Sequence, residues 1–436
     1  MSLPSTPTAR IPLSIGLLAL TLFMGVAARV VISPLQELVR ADLGLSDHQI
    51  GMVQGLALAI PLALLSVPLG RLVDSGKRSR LLVFMALASA VGSALSAFSE
   101  GFATMFISRM LVGAAVAGAI TASVSLASDL SAPSARGRTM MLLGLGQSCG
   151  GAATFALAGV LLAWLPSRIG GDLAPWRLVQ LSFAAAMLAA AAALLLLREP
   201  TRRESGGAQG RSLRSALHEL WGYRRLMLPL LVGMMTIGMA DAAASIWAVP
   251  VLTRVFGLQP IDFGGWMSLV FLISGIIGTA VGGFLSDFGQ RIAGRGGILL
   301  GAVIGAGLSV PAALFPLMPN VPVFAVLLAL LLTAGAITGI ASTAAVAVLV
   351  PNELRGISLS LLGAVALLMS YGVAPSLVSL GTGWTGKEGE VALPLALVGV
   401  VTSVIGTLAF ARAMRVAAQQ DDVPSMATVS AAGVQD

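Results

Sequence analysis

The chain has 436 residues, 57% of them hydrophobic and only 10% charged, with a mean hydropathy of +0.94. A water-soluble domain carries about 25% charged residues, so this composition excludes one and makes lipid the solvent. The net charge of +7 would suggest a nucleic-acid partner in a soluble protein, but the placement of the charges along this chain accounts for it, and no such partner is expected.

A helix needs about 20 mostly apolar residues to cross a hydrocarbon core of roughly 30 Å. Twelve windows meet that requirement, at 11–36, 49–70, 81–99, 103–128, 139–164, 178–197, 225–253, 264–287, 297–317, 322–349, 356–381 and 391–413. The first could be taken for a cleavable signal peptide, with Arg10, an apolar run and then Val26-Ala27-Ala28. The run continues past Arg29 to Leu35, however, and cleavage would leave an odd number of spans, so it is read as the first span. An even number of crossings puts both termini on one side. Of 26 Lys and Arg, 19 fall in the terminal segments and the even-numbered connections, five on the opposite side (Arg40, Arg168, Arg177, Arg254, Lys387) and two, Arg29 and Arg109, inside spans. The positive-inside rule then makes both termini cytoplasmic, in a multi-pass protein of an inner (plasma) membrane.

The second and eighth spans end alike. Gly70 to Arg78 and Gly283 to Arg291 both read Gly-x-Leu-x-Asp-x-Gly-x-Arg, at an offset of 213 residues. Pro133 to Gly137 and Pro351 to Gly356 form a second such pair after the fourth and tenth spans. The fold class is therefore all-α: twelve transmembrane helices in two pseudo-symmetric six-helix bundles. The bundles cover 1–197 and 225–413, with a cytoplasmic linker at 198–224 and a polar tail at 414–436. Parallel six-helix repeats of this kind form transporters that bind substrate near the midplane, between the halves.

Within the linker, Leu213, Leu217, Leu220 and Trp221 share one helical face, with Arg211, Arg214, Arg224 and Arg225 around it. This reads as an amphipathic helix on the anionic cytoplasmic leaflet, so membrane lipids are partners, and His218 in it reads as a surface residue. Small residues at helix-packing spacing (Gly113 and Ala117, Gly278 and Gly282, Gly301 and Gly305) serve close approach between spans. Cys149 is the single cysteine, which rules out an intrachain disulfide, and it reads as a small buried packing residue.

The Gly-x-Leu-x-Asp-x-Gly-x-Arg turns resemble the cytoplasmic signature loop of the major facilitator superfamily. That resemblance gives Asp74, Arg78, Asp287 and Arg291 gating roles, in which a carboxylate at a helix end faces a neighbouring helix N-terminus or Arg and latches the halves. Ser75 and Phe288 stand where the signature often has a basic residue. Arg109 and Gly113 reproduce an Arg-x-x-x-Gly element of the fourth helix in the same superfamily, which implies either a hydrogen-bonding, gating role near the outer end of the cavity or direct coupling. The stretches 28–55, 108–118, 128–138 and 349–368 are similar to bacterial spinster-type transporters, over roughly residues 15–410. Such proteins are implied to export lysolipids or sphingoid lipids with proton coupling. Their usual first-helix Asp is Ala28 here and their fourth-helix acid is Val116.

By these boundaries only Arg29, Arg109 and Asp241 are ionisable groups well inside spans. A charge at that depth costs at least about 2.5–3.5 kcal/mol, so such groups face a cavity or a partner. Aligning the halves on Pro34 and Pro250 puts Gly25 opposite Asp241 and Arg29 opposite Ser245, and the first and seventh helices line the central cavity in this superfamily. Two readings follow. Either Arg29 binds an anionic group of the substrate while Asp241 takes up a proton, or the two form a static ion pair between the halves. Gln54, Gln147, Ser245, Trp247 and Tyr371 are the neutral candidates for the cavity lining, with Trp247 equally readable as an interfacial anchor.

No P-loop, metal-ligand cluster or nucleophile-base constellation occurs, and His48 and His218 both lie in connections, so neither an enzyme nor a cofactor or metal is expected. The expected function is secondary active transport by alternating access, exporting a small or lipid-like organic molecule with an anionic group, coupled to protons and carried out by a monomer. Uptake of a carboxylate nutrient and a non-transporting membrane sensor are the alternatives.

Overall fold

The computed structural model describes residues 10–132, 135–169, 172–200, 213–382 and 390–419, and within these the side chains of 10, 66, 67, 74, 75, 213–217, 352 and 353 lie outside the description. Among the described residues all regular structure is helical. Twelve candidate membrane spans run Ile11–Asp42, Asp47–Leu65, Arg78–Ala97, Phe102–Leu130, Arg136–Ile169, Pro175–Leu196, Arg224–Arg254, Pro260–Gly297, Leu300–Leu317, Val321–Leu349, Leu354–Thr382 and Ala392–Gln419. They are numbered here as spans 1 to 12, and span 2 continues as a helix to Ser75. The side reached by both terminal segments is called the near face and the opposite side the far face.

Several spans begin where the sequence supplies a cap for the orphan N–H groups of a first turn. Ser46 Oγ accepts from the Gln49 N–H while Gln49 Oε1 accepts from the Ser46 N–H at the start of span 2. Gln259 and Asp262 make the corresponding box at span 8, and Asn320 Oδ1 accepts from the Val323 N–H at span 10. Large apolar side chains such as Leu64, Ile107, Phe284 and Val326 stand two-thirds exposed, the surface expected of helices that face lipid.

Two bundles are evident from the cores. Toward the near face each half has a core of its own, with Leu18, Leu82 and Leu126 in the first and Leu226, Val346 and Phe410 in the second. Toward the far face the separation ends, for Phe155 of span 5 is embedded among Trp247, Phe263 and Phe324 of the second half. Glycines set how closely the halves meet there. A Cβ on Gly55 would stand 2.1 Å from the Tyr371 carbonyl oxygen, on Gly159 2.5 Å from that of Pro260, and on Gly264 2.5 Å from that of Phe155. Backbone lies on backbone at each of these points, which only glycine permits. Further toward the near face Gly70, Gly144, Gly283 and Gly356 have nothing within 4 Å of where a Cβ would be. The halves are closed on the far face and apart on the near face.

A charged clamp reinforces that closure. Arg254, at the end of span 7, sends Nε and Nη2 to Glu37 at 3.1 and 2.8 Å and Nη1 and Nη2 to Asp47 at 2.9 and 2.6 Å. Arg40 stands 3.4 Å from Glu37 and 3.9 Å from Asp47, balancing the second carboxylate. His48 Nδ1 lies 3.2 Å from Ser379 Oγ across the same seam. All these ions are at least half-buried, so the forked geometry favoured by guanidinium and carboxylate carries more weight than a surface pair would.

The gating residues are placed as follows. Arg78 lies wholly within the first half, 2.5 Å from Asp129 and 3.0 Å from Glu199, so in this conformation it latches span 3 to the ends of spans 4 and 6 and not one half to the other. Partial burial works against ionisation of Glu199, but the Ser79 N–H at 2.7 Å and the Arg78 guanidinium hold its carboxyl below the usual range. Asp287 and Arg291 are exposed on the open near face, and the side chain of Asp74 lies outside the described residues. Of the linker helix, Leu220 is buried in the second half's core, Trp221 is exposed beside Arg224 and His218 is exposed, whereas Arg211 and the side chains of Leu213, Arg214 and Leu217 lie outside the description. Cys149 departs from expectation, since its side chain is exposed: it sits on the outer side of span 5, away from the neighbouring cavity residues Gln147 and Ser148.

Removing Arg254 takes away the cation that joins the halves and leaves Glu37 and Asp47 with Arg40 alone, a change that costs about 2 kcal/mol or more where a desolvated pair loses one member. In a Cys149→Ser background with spin labels at Glu100→Cys and Asn320→Cys, Arg254→Gln is expected to broaden and lengthen the inter-half distance distribution at the far face. An unchanged distribution would show that the glycine seam alone holds it shut.

Candidate functional site

Span 1 is not one continuous helix. The helix Arg10–Val30 gives way at Val31 to a second, Ile32–Asp42. Pro34 explains the position, because it offers no N–H to the Val30 carbonyl and its ring crowds that carbonyl. Arg109 of span 4 repairs the weakened turn, donating Nη1 to the Ala28 carbonyl at 2.7 Å and Nη2 to the Arg29 carbonyl at 2.5 Å. Its side chain is fully buried, so its forked donor set serves the backbone of span 1 and, through it, the position of Arg29.

The Arg29 side chain emerges from that braced turn into a cavity of about 350 Å³ between the halves. Its guanidinium carbon lies 5.1 Å from the centre of the Tyr371 ring on span 11, a cation–π distance. No carboxylate among the described residues pairs with it within 4.0 Å. Asp241 of span 7 lines the same cavity and is likewise without an ion-pair partner among the described residues. The static pair considered from sequence is therefore not made in this conformation. One turn along, Ser245 donates to the Asp241 carbonyl at 2.8 Å. Gly335 of span 10 makes room for the carboxylate, since a Cβ there would lie 2.8 Å from Asp241 Oδ1.

Gln54 completes one wall. It ends the first helical segment of span 2, before a break at Gly55, with Ser33 Oγ donating to its Oε1 at 2.8 Å and its Nε2 donating to Gln36 Oε1. Opposite that break, span 11 passes through a π-helical segment at Leu368–Val373, which carries Tyr371. Gln147 and Ser148 come from span 5 and Ser274 from span 8, and the wall toward the far face is the stacked pair Phe155 and Phe271, 4.9 Å between centroids and 17° between planes.

Of the residues singled out from sequence as cavity-lining or coupling groups, Arg29, Gln54, Gln147, Asp241, Ser245 and Tyr371 do meet around one cavity. Trp247 does not. It is fully buried, donates its indole N–H to the Pro375 carbonyl at 3.1 Å and packs against Gly51 across the seam, a structural contact on the far side of the cavity. Ser33, Ser148, Phe155, Phe271 and Ser274 were not foreseen. Ser33 was within reach of sequence reasoning, being one helical turn from Arg29 on the same face, but two phenylalanines in apolar windows carry no mark that separates a cavity wall from a core. Among the described residues Asp241 is the only carboxylate in the lining, for Ala28 and Val116 are buried in the first half's core.

Two six-helix bundles around a polar midplane cavity, closed at one face and open at the other, define a secondary membrane transporter. The chain belongs to the Major Facilitator Superfamily, which it matches over residues 17–375. It is 24% identical over 278 residues to a probable 4-methylmuconolactone transporter of Cupriavidus pinatubonensis, a match that spans 63% of this chain and 62% of that protein's length. In fold it is similar to a bacterial homologue of the human lysosomal transporter Spinster in an inward-facing, unoccupied conformation, with a TM-score of 0.79, 19% identity, and 95% of this chain and 98% of that one covered. The nucleoside transporter NupG is also similar, with a TM-score of 0.70, 12% identity, and 92% and 98% covered.

The brace on span 1 is open to test. A lysine at 109 offers a point charge without the fork, so Arg109→Lys leaves a buried carbonyl unsatisfied at a cost of about 1–3 kcal/mol. It is expected to lower the thermal unfolding midpoint of the purified protein and, through misplacement of Arg29, to weaken ligand binding as well. Wild-type stability in this variant would refute the bracing role.

Proposed function

We propose that the protein carries a compact organic carboxylate together with a proton, inward across the cytoplasmic membrane. Arg29 binds the carboxylate, Gln54, Gln147 and Ser245 bind further polar groups, the Phe155 and Phe271 pair covers the ring or hydrocarbon part, and Asp241 carries the proton. The observation that carries this reading is a guanidinium that faces a midplane cavity and has no ion-pair partner among the described residues. A cation at that depth is retained against an insertion cost of about 2.5–3.5 kcal/mol, and an anion entering the cavity supplies the charge-assisted partner it lacks.

Size favours a compact molecule over a lipid, because a cavity of about 350 Å³ is at the small end of the range for ligand pockets, roughly 300–1,000 Å³. The lactone carboxylate in the name of the Cupriavidus relative is of that size and charge. A proton carried with the substrate is what makes inward movement favourable. An anion entering a negative-inside cell works against about 2.3 kcal/mol per charge per 100 mV, and a proton carried with it cancels that term and adds the pH gradient as a driving force.

The near face is then cytoplasmic, consistent with the basic connections on that side, and the present conformation is the one that releases substrate to the cytoplasm. Asp74, Arg78, Asp287 and Arg291 act as the near-face latch in the opposite conformation, when the Arg254 clamp has opened.

Proteoliposome uptake of 4-methylmuconolactone and a panel of small carboxylates, driven by an inward proton gradient, tests the reading. Arg29→Ala is expected to raise KM roughly ten- to hundredfold, the worth of a hydrogen bond to a charged group, and Asp241→Asn to abolish gradient-driven accumulation while sparing exchange. Equal uptake by wild type and Arg29→Ala would exclude the anion-binding role.

A further inference from the structure

A second cavity of about 260 Å³ borders the first. It is lined by spans 7, 10 and 11 alone, along their near-face halves, and it meets the substrate cavity at Asp241, Gly335 and Tyr371, which line both. Glycine makes it, since neither Gly339 nor Gly363 has an atom within 4 Å of where a Cβ would stand.

Its lining is mostly apolar, and its polar groups besides Asp241 and Tyr371 are the hydroxyls of Thr338, Ser342 and Ser370. Thr338 Oγ1 donates to the Gly335 carbonyl at 2.7 Å and Ser370 Oγ to the Ala366 carbonyl at 2.6 Å, which leaves the lone pairs of both oxygens free to accept from water. Ser342 Oγ is fully buried and has no hydrogen-bond partner among the described residues. A buried hydroxyl of this kind is satisfied by ordered water, for which a polar, roomy cavity is the requirement. Ser370 also belongs to the π-helical segment of span 11, an irregularity concentrated at functional sites.

From this arrangement we infer that the second cavity is a water-filled proton route, through which Asp241 exchanges its proton with the near face independently of the cavity that holds the substrate. The inference rests on the reading of Asp241 as the proton-carrying group. Around that carboxylate, span 1 contributes Arg29, span 11 contributes Tyr371, and span 10 contributes only Gly335 and the hydroxyls beyond it. Because one half alone builds the route, a substrate seated on Arg29 leaves it open, and proton and substrate leave in either order.

Infrared spectroscopy of the full chain in lipid membranes tests this without a substrate. The readout is the protonated-carboxyl band that Asp241→Asn removes, and the rate at which D2O added on the near face shifts it. Gln147→Trp fills the substrate cavity and Gly339→Leu the second one, with Gly339→Ala as the conservative control and Gly363→Leu as a replacement should Gly339→Leu not fold. Exchange is expected to stay fast in Gln147→Trp and in Gly339→Ala with Gln147→Trp, and to slow about a hundredfold or more, the scale of a lost proton-transfer step, when Gly339→Leu or Gly363→Leu is added to Gln147→Trp. Exchange that Gln147→Trp alone abolishes, or that the leucine variants leave fast, overturns the route. A spectrum with no Asp241-dependent band at any pH overturns the proton reading on which it rests and is told apart from the other results by the missing band.

Discussion

A guanidinium held at the membrane midplane with no carboxylate among the described residues within ion-pair distance is the constraint on which the rest of this structure depends. Arg29 cannot sit there on an unbroken hydrophobic helix at tolerable cost, and the surroundings answer that cost piece by piece. Pro34 breaks span 1 just beyond it, Arg109 holds the loosened turn by its carbonyls, and Tyr371 offers a ring face from the opposite half. What remains unsatisfied points into a cavity. On the proposed reading the missing counter-charge is the substrate's own, which makes transport depend on anionic cargo.

Movement needs an interface that can open as a unit, and the composition of the far-face seam suits that requirement. Backbone approaches at Gly55, Gly159 and Gly264 bring the halves together there, and Phe155 lies in the second half's core, so opening the seam separates backbone contacts and withdraws that side chain. The Arg254 clamp adds specificity and a polar rim. At the near face each half keeps a core of its own and loses nothing when the halves stand apart. Such a distribution, shared core at one end and separate cores at the other, is what a two-state rocking carrier requires.

Much of the fold was legible because lipid removes alternatives. A backbone that must satisfy itself in hydrocarbon is helical, so twelve apolar windows already implied twelve spans, and the duplicated turns at Gly70 and Gly283 implied two halves. Arg29 and Asp241 were legible for the same reason, as charges too costly to stand where they do by chance. Other features were hidden. Trp247 was readable as a cavity-lining residue or an interfacial anchor, and it is neither, because its indole N–H donates to a carbonyl 128 positions away, at Pro375. Arg254, Glu37 and Asp47 read as ordinary connection charges until folding brings them together. Arg78 was read as an inter-half latch, yet in this conformation its partners Asp129 and Glu199 belong to its own half. Phe155 and Phe271 wall the cavity with the same chemistry that fills a core.

The central claim, that Arg29 waits for the charge of the substrate, is tested most directly by calorimetric binding of 4-methylmuconolactone and of its methyl ester to the wild-type protein. The two ligands share ring, size and most hydrogen-bonding groups and differ in the carboxylate charge. The account requires the acid to bind and the ester to bind far more weakly, by about 1.5–3 kcal/mol for the lost charge-assisted pair. Equal affinities would contradict it, and would leave the guanidinium as a structural element whose partner is the protein itself.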